Sequence, residues 1–93
     1  MPNIAFLNGR FMPLSRTKVH VEDRGYQFGD GIYELIRTYH GRVFLLNEHL
    51  SRLEKSATAI DLDLYYTRRE WKKIISDAHQ KSRFPEARIY MQV

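Results

Sequence analysis

Cysteine is absent from the 93 residues, so neither a disulfide nor a thiolate metal site can form. Long apolar runs are missing too, and no stretch approaches the length that spans a bilayer. No basic segment followed by an apolar one opens the chain, so we expect no secretory signal and a cytoplasmic location. The patterns G-x-x-x-x-G-K and G-x-G-x-x-G do not occur, which removes the common phosphate and dinucleotide loops. No Ser or Cys nucleophile signature occurs either. His20, His40 and His79 lack metal-ligand spacing with one another or with acids, so no metal site is expected.

What remains is an ordinary composition, with 43% hydrophobic and 28% charged residues. The length allows one small domain, residues 1–93. The net charge of +4 comes from bases scattered among acids. Arg68-Arg69 with Lys72-Lys73 is the densest cluster, and it reads as a solvated helix face rather than a nucleic-acid patch. The five lysines, Lys18, Lys55, Lys72, Lys73 and Lys81, lack apolar settings, and all are expected on the surface.

Along the chain, Asn8-Gly9 between apolar Ile4–Leu7 and Arg10–Met12 signals a hairpin that Pro13 ends. Val19 and Val21 alternate with polar neighbours and suggest a short extended piece. Ile32–Tyr39 is rich in β-branched and aromatic residues, His40-Gly41 reads as a turn, and Arg42–Leu46 as a returning strand. Asn47 is placed as an N-cap, with Glu48 in the first turn. Leu50, Leu53, Ala57 and Ile60 then give an amphipathic helix. Asp61–Tyr66 reads as a linker. Thr67 with Glu70 forms a capping box, flanked by a Tyr66–Trp71 hydrophobic staple. Trp71, Ile74, Ile75 and Ala78 form the apolar stripe of a second helix. Pro85 breaks the chain, and Arg88–Val93 reads as a strand. An apolar strand that ends without a polar tail leads us to expect a longer parent protein. The expected class is α+β: a small, mainly antiparallel sheet with two helices on one face.

Two places carry candidate chemistry. Glu22-Asp23-Arg24-Gly25-Tyr26-Gln27-Phe28-Gly29-Asp30-Gly31-Ile32-Tyr33-Glu34 is rich in glycine and acids and leads into a strand at Tyr33. Such a composition suits a site on the rim of a sheet. His49, Arg52 and Ser56 form a polar stripe bordering the apolar face of the first helix. Arginine offers a planar fork for phosphate or carboxylate, and a neutral histidine both donates and accepts. Spacing alone favours a surface arginine paired with Glu48 or Ser56 and a surface histidine, and leaves room for a strand tyrosine that merely packs.

The glycine-rich run, together with Asn47-Glu48-His49-Leu50-Ser51-Arg52-Leu53 and the strand Arg88-Ile89-Tyr90-Met91-Gln92-Val93, resembles the N-terminal domain of the fold-type IV pyridoxal-phosphate enzymes. Within them it looks most like the D-amino acid (D-alanine) aminotransferases. Branched-chain aminotransferases and aminodeoxychorismate lyase are the alternatives inside that group, and a non-catalytic, self-associating interaction domain is the alternative outside it. The resemblance runs from about residue 3 to Val93 and implies pyridoxal 5'-phosphate as cofactor. It gives Arg52 and His49 to the cofactor phosphate. It gives Tyr33 to the substrate carboxylate and Leu35 to the side-chain pocket. It implies an amino acid and a 2-oxo acid as substrates, and a homodimer. It also puts the cofactor-bonding lysine and the acid that faces the pyridine nitrogen in a second domain beyond Val93. No catalytic residue is then expected within these 93, and the chain alone should not transaminate.

Overall fold

The computed structural model describes residues 3–93. The chain opens with β1 (Ile4–Leu7) and β2 (Arg10–Pro13), paired antiparallel from Ile4↔Pro13 to Leu7↔Arg10. Asn8 and Gly9 turn the chain at φ 49° and 91°, the left-handed pair that a two-residue hairpin loop requires. A single 3-10 turn, Leu14–Arg16, follows. Val19 and Val21 join no strand, Val21 lies in a turn, and both valines are exposed. No neighbouring strand offers their backbone a ladder, so alternation alone does not make a strand there.

The glycine-rich run holds a short helix, α1 (Arg24–Phe28), that composition did not reveal. Asp23 caps it by accepting from the Gly25 N–H at 2.9 Å, and Gly29 ends it at φ 68°. Arg24 closes the loop on Asp30 at 2.6 Å. The chain then enters β3 (Tyr33–Tyr39), turns at His40-Gly41 and returns as β4 (Arg42–Val43). This second arm is shorter than expected. Phe44 still donates to the Arg37 carbonyl at 2.8 Å, but Leu45 adopts φ 54° and turns the chain into a helix.

That helix is α2 (Leu46–Ala59). It starts one residue before Asn47, so Asn47 lies in its first turn. Leu45 takes the N-cap position without a side-chain cap bond. Packing of the half-buried Leu46 against the core accompanies this start ahead of the better capping residue. Leu50, Leu53 and Ala57 are buried as their spacing required, whereas Ile60 closes the helix half-exposed. In α3 (Arg68–Ser82) the capping box is present in both directions, and Tyr66 meets Trp71 edge-to-face at 5.1 Å. Arg68 is not a solvated cation. It binds Glu54 at 2.7 Å and Ser51 at 2.8 Å, tying α3 to α2. Lys72 is half-buried, while the other four lysines are exposed as expected.

The last strand, β5 (Arg88–Gln92), pairs antiparallel with β3, which makes a three-stranded sheet of order β4-β3-β5 beside the β1-β2 hairpin. Two sheets therefore replace the single one expected, and the antiparallel α+β class holds. Alternate residues of β3 face opposite sides. Glu34, Ile36 and Thr38 are buried, whereas Tyr33, Leu35, Arg37 and Tyr39 are exposed. Leu50, Leu53 and Ala57 of α2 and Ile75 of α3 cover the buried side, with Ile32, Ile36 and Met91 beneath them. Buried Thr38 donates to the Pro85 carbonyl at 3.0 Å and accepts from the Ala87 N–H at 2.7 Å, so its hydroxyl is satisfied. Among the described residues no helix is long and apolar enough to cross a membrane.

Candidate functional site

One carboxylate organises the site. Glu34 lies on the covered side of β3 and is only 6% exposed. A charge buried this deeply needs partners, and α2 supplies them. Arg52 donates from Nε to Oε2 at 2.8 Å and from Nη2 to Oε1 at 2.9 Å. His49 lies 2.7 Å from Oε1 through Nδ1. These residues stand one helical turn apart on one face of α2, so both reach the same strand residue.

The charges follow from this geometry. Hydrogen bonds from Arg52 hold the Glu34 carboxyl below the usual carboxylate range. Burial opposes them, and the bond to His49 adds to them. An ionised carboxylate only accepts, so His49 donates to it from Nδ1–H. The 3.2 Å approach of Arg52 Nη2 to that same nitrogen is then a packing contact rather than a second hydrogen bond. Arg52 spends one edge of its guanidinium on Glu34. Its side chain stays 65% exposed, and Nη1 makes no hydrogen bond among the described residues. Arg52 opens on a shallow depression that it shares with Asn47, Glu48, Ser51 and Lys55. An anchored cation with a free fork is suited to a phosphate or a carboxylate.

Tyr33 and Leu35 lie on the other, uncovered side of β3, 66% and 45% exposed. Tyr33 stacks on Tyr90 of β5 at 5.9 Å. The structure therefore brings His49 and Arg52 together, and holds Tyr33 and Leu35 together apart from them. The two groups meet only at the start of β3, where Tyr33 and Glu34 are consecutive. Arg52 does not pair with Glu48 or Ser56, the partners its spacing offered. Among the described residues no cluster of His, Asp and Glu could hold a metal ion.

Comparison with known proteins decides what this arrangement belongs to. Residues 31–93 match the model of the family described as amino-transferase class IV. The chain belongs to the class IV aminotransferases. A D-alanine aminotransferase from Bacillus licheniformis is 45% identical over 86 residues, 92% of this chain and 30% of that relative. A branched-chain aminotransferase structure from Thermoproteus uzoniensis, with norvaline, superposes with a TM-score of 0.82. It is 30% identical, with 99% of this chain and 32% of that one covered. A hypothetical aminotransferase from Mycobacterium tuberculosis, in its PLP-bound form, superposes at 0.84 with 25% identity over 96% of this chain and 32% of that one. The chain spans about 30% of the length of the curated relatives it matches.

For a class IV aminotransferase, the fit of these residues to a pyridoxal phosphate is one-sided. An anchored guanidinium with a free edge, with a histidine beside it, is suited to the phosphate of such a cofactor. For the aldehyde there is no matching group among the described residues, since no described lysine is buried and four of the five are exposed. Glu34 is the residue that sequence reasoning did not single out. One signal pointed to it. Ile32, Glu34, Ile36 and Thr38 share the covered face, so an ionisable acid stands in an otherwise uncharged alternation. An acid there calls for basic partners on the covering helix.

Proposed function

We propose that the chain is the N-terminal domain of a pyridoxal-phosphate transaminase of the D-amino acid type, using D-alanine and a 2-oxo acid such as 2-oxoglutarate. The anchored Arg52 carries this reading: a permanently charged fork, fixed on a class IV fold, with an edge left for a dianion. In it, Arg52 and His49 bind the cofactor phosphate, Tyr33 meets the substrate carboxylate and Leu35 lines the side-chain pocket. When bound, pyridoxal phosphate supplies the electron sink for amino-group transfer. This chain's share is to bind the phosphate end and to wall the substrate side. The bonding lysine belongs to a second domain, and the working enzyme is a homodimer. The identity of 45% to a D-alanine aminotransferase favours the D-amino acid form. The superposition on a branched-chain aminotransferase supports a second reading, transamination of branched-chain amino acids on the same fold.

Titration with inorganic phosphate tests the cofactor end. Arg52→Gln is expected to weaken phosphate binding at least about tenfold, the worth of a charge-assisted pair. Unchanged binding would remove the reading. Reading the coding sequence downstream of codon 93 tests the domain assignment. An open frame carrying a lysine-bearing second domain is the expected result. An immediate stop would confine the chain to a non-catalytic interaction domain.

A further inference from the structure

We propose that Glu34 is a positioning residue: its carboxylate fixes the guanidinium of Arg52 with one edge left free for an incoming phosphate, and holds the ring of His49 in place beside it. This inference rests on the reading that Arg52 receives the phosphate of the cofactor.

Glu34 makes a poor structural residue where it stands. Its neighbours on the covered face, Ile32 and Ile36, are 8% and 0% exposed and part of the apolar core. A hydrophobic side chain there would extend that core. A buried ion pair is often no more stabilising than the apolar packing it replaces. Arg52 could also remain on the exposed face of α2 without help, as a solvated cation. The arrangement instead draws Arg52 back onto the strand through two parallel bonds of 2.8 and 2.9 Å. Those bonds occupy Nε and one Nη2 hydrogen, so the Nη1 edge points away from the carboxylate. That leaves a fork whose plane is set before any anion arrives, which lowers the ordering cost of binding.

The same carboxylate governs His49. The Nδ1–H donates to Oε1 at 2.7 Å, which fixes the tautomer and leaves Nε2 on the far side of the ring. The His49 side chain is 14% exposed, so its orientation comes from this bond and its packing rather than from solvent. One acid therefore sets two residues that the sequence places three apart.

Positioning and simple electrostatics make opposite forecasts. Removing a negative charge beside an anion site strengthens anion binding by Coulomb's law. Removing a positioning carboxylate weakens it, because Arg52 then wanders and His49 changes tautomer. The experiment is a titration of the 15N-labelled 93-residue chain with inorganic phosphate, for wild type, Glu34→Gln and Arg52→Gln. Arginine Nε–H signals and histidine ring nitrogens are followed throughout. In the wild type, Arg52 Nε–H should exchange slowly and His49 should show the Nδ1–H tautomer before phosphate is added. In Glu34→Gln both signatures should disappear, and phosphate binding should weaken about three- to tenfold.

Equal or tighter binding by Glu34→Gln, with binding still lost in Arg52→Gln, would overturn the positioning role and leave the phosphate reading intact. Wild-type spectra indifferent to phosphate would instead remove the phosphate reading. If Glu34→Gln fails to fold, the wild-type signatures and the Glu34→Asp variant decide. Glu34→Asp keeps the charge but shortens the reach, so an intermediate affinity is expected. A wild-type Arg52 signal averaged with the exposed arginines would overturn the proposal by itself.

Discussion

Glu34 shows how a single residue sets the terms for its neighbours. Because Arg52 holds its carboxyl below the ordinary range, the ionised form is favoured in the folded chain. The stability this contributes is fully present above the unfolded carboxylate value of 4.5 and is lost as pH falls through the lower folded value. Glu54, bonded to Arg68, and Glu70, bonded to Thr67, are lowered as well and act in the same direction. Thermal unfolding followed from about pH 2 to pH 7 should therefore lose stability on the acid side. Glu34→Gln should flatten part of that fall and leave the Glu54 and Glu70 share. An acid limb identical in slope to the wild type would mean that Glu34 is not ionised in the fold.

At the scale of elements, the closing of β3 on β5 depends on a missing side chain. Ile32 and Val93 exchange N–H···O bonds at 3.0 Å each, which extends the ladder past Tyr33↔Gln92. Gly31 sits beside this closure, and a Cβ built there would lie 2.8 Å from the Val93 carbonyl oxygen. That contact is with backbone, which cannot swing aside as a flexible side chain can. Gly31→Ala should cost about 1–3 kcal/mol in chemical denaturation. It should also speed amide exchange at Ile32 and Val93 while leaving α3 unaffected, because the α3 capping box is remote in sequence and self-contained. Uniform loss of protection across the chain would show that the closure is not a local feature. The strand end and the start of the site are coupled here, since Tyr33 and Glu34 follow directly.

The described residues span 35 × 30 × 17 Å, with α2 and α3 covering one side of the three-stranded sheet. The uncovered side carries Tyr33, Leu35, Tyr39 and Tyr90, all between 43% and 66% exposed. Phe44, 51% exposed, packs edge-to-face on Tyr39 at 5.5 Å. Arg37, Arg88 and Gln92 interrupt this face, but its aromatic cluster is a candidate surface for self-association. Light scattering of the chain should show association that rises with protein concentration. The double change Tyr33→Ser and Tyr90→Ser should reduce it without moving the helical circular dichroism. A strictly monomeric chain at high concentration would argue that the stacked tyrosines alone shield this face.

Much of this protein was legible from local chemistry. The Asn8-Gly9 turn, the Thr67–Glu70 box, the Tyr66–Trp71 staple and the Leu50, Leu53, Ala57 stripe are short-range patterns, and short-range physics suffices to form them. The paired motifs around Tyr33 and Arg52 also carried the family. Where tertiary packing competed with local preference, local reading failed. Packing of the half-buried Leu46 against the core accompanies a start of α2 ahead of Asn47. The absence of a neighbouring strand left Val19 and Val21 without a ladder. Arg68 became an interhelical tie because the fold brings the start of α3 to Ser51 and Glu54 of α2. The bond from Glu34 to Arg52 spans 18 positions and that to His49 spans 15, so no local rule could pair them. The sequence alone determined the residue types available and the segments that carry them. Only the packing of α2 against β3 decided which carboxylate anchors Arg52, because a buried charge finds its partner through the fold rather than along the chain.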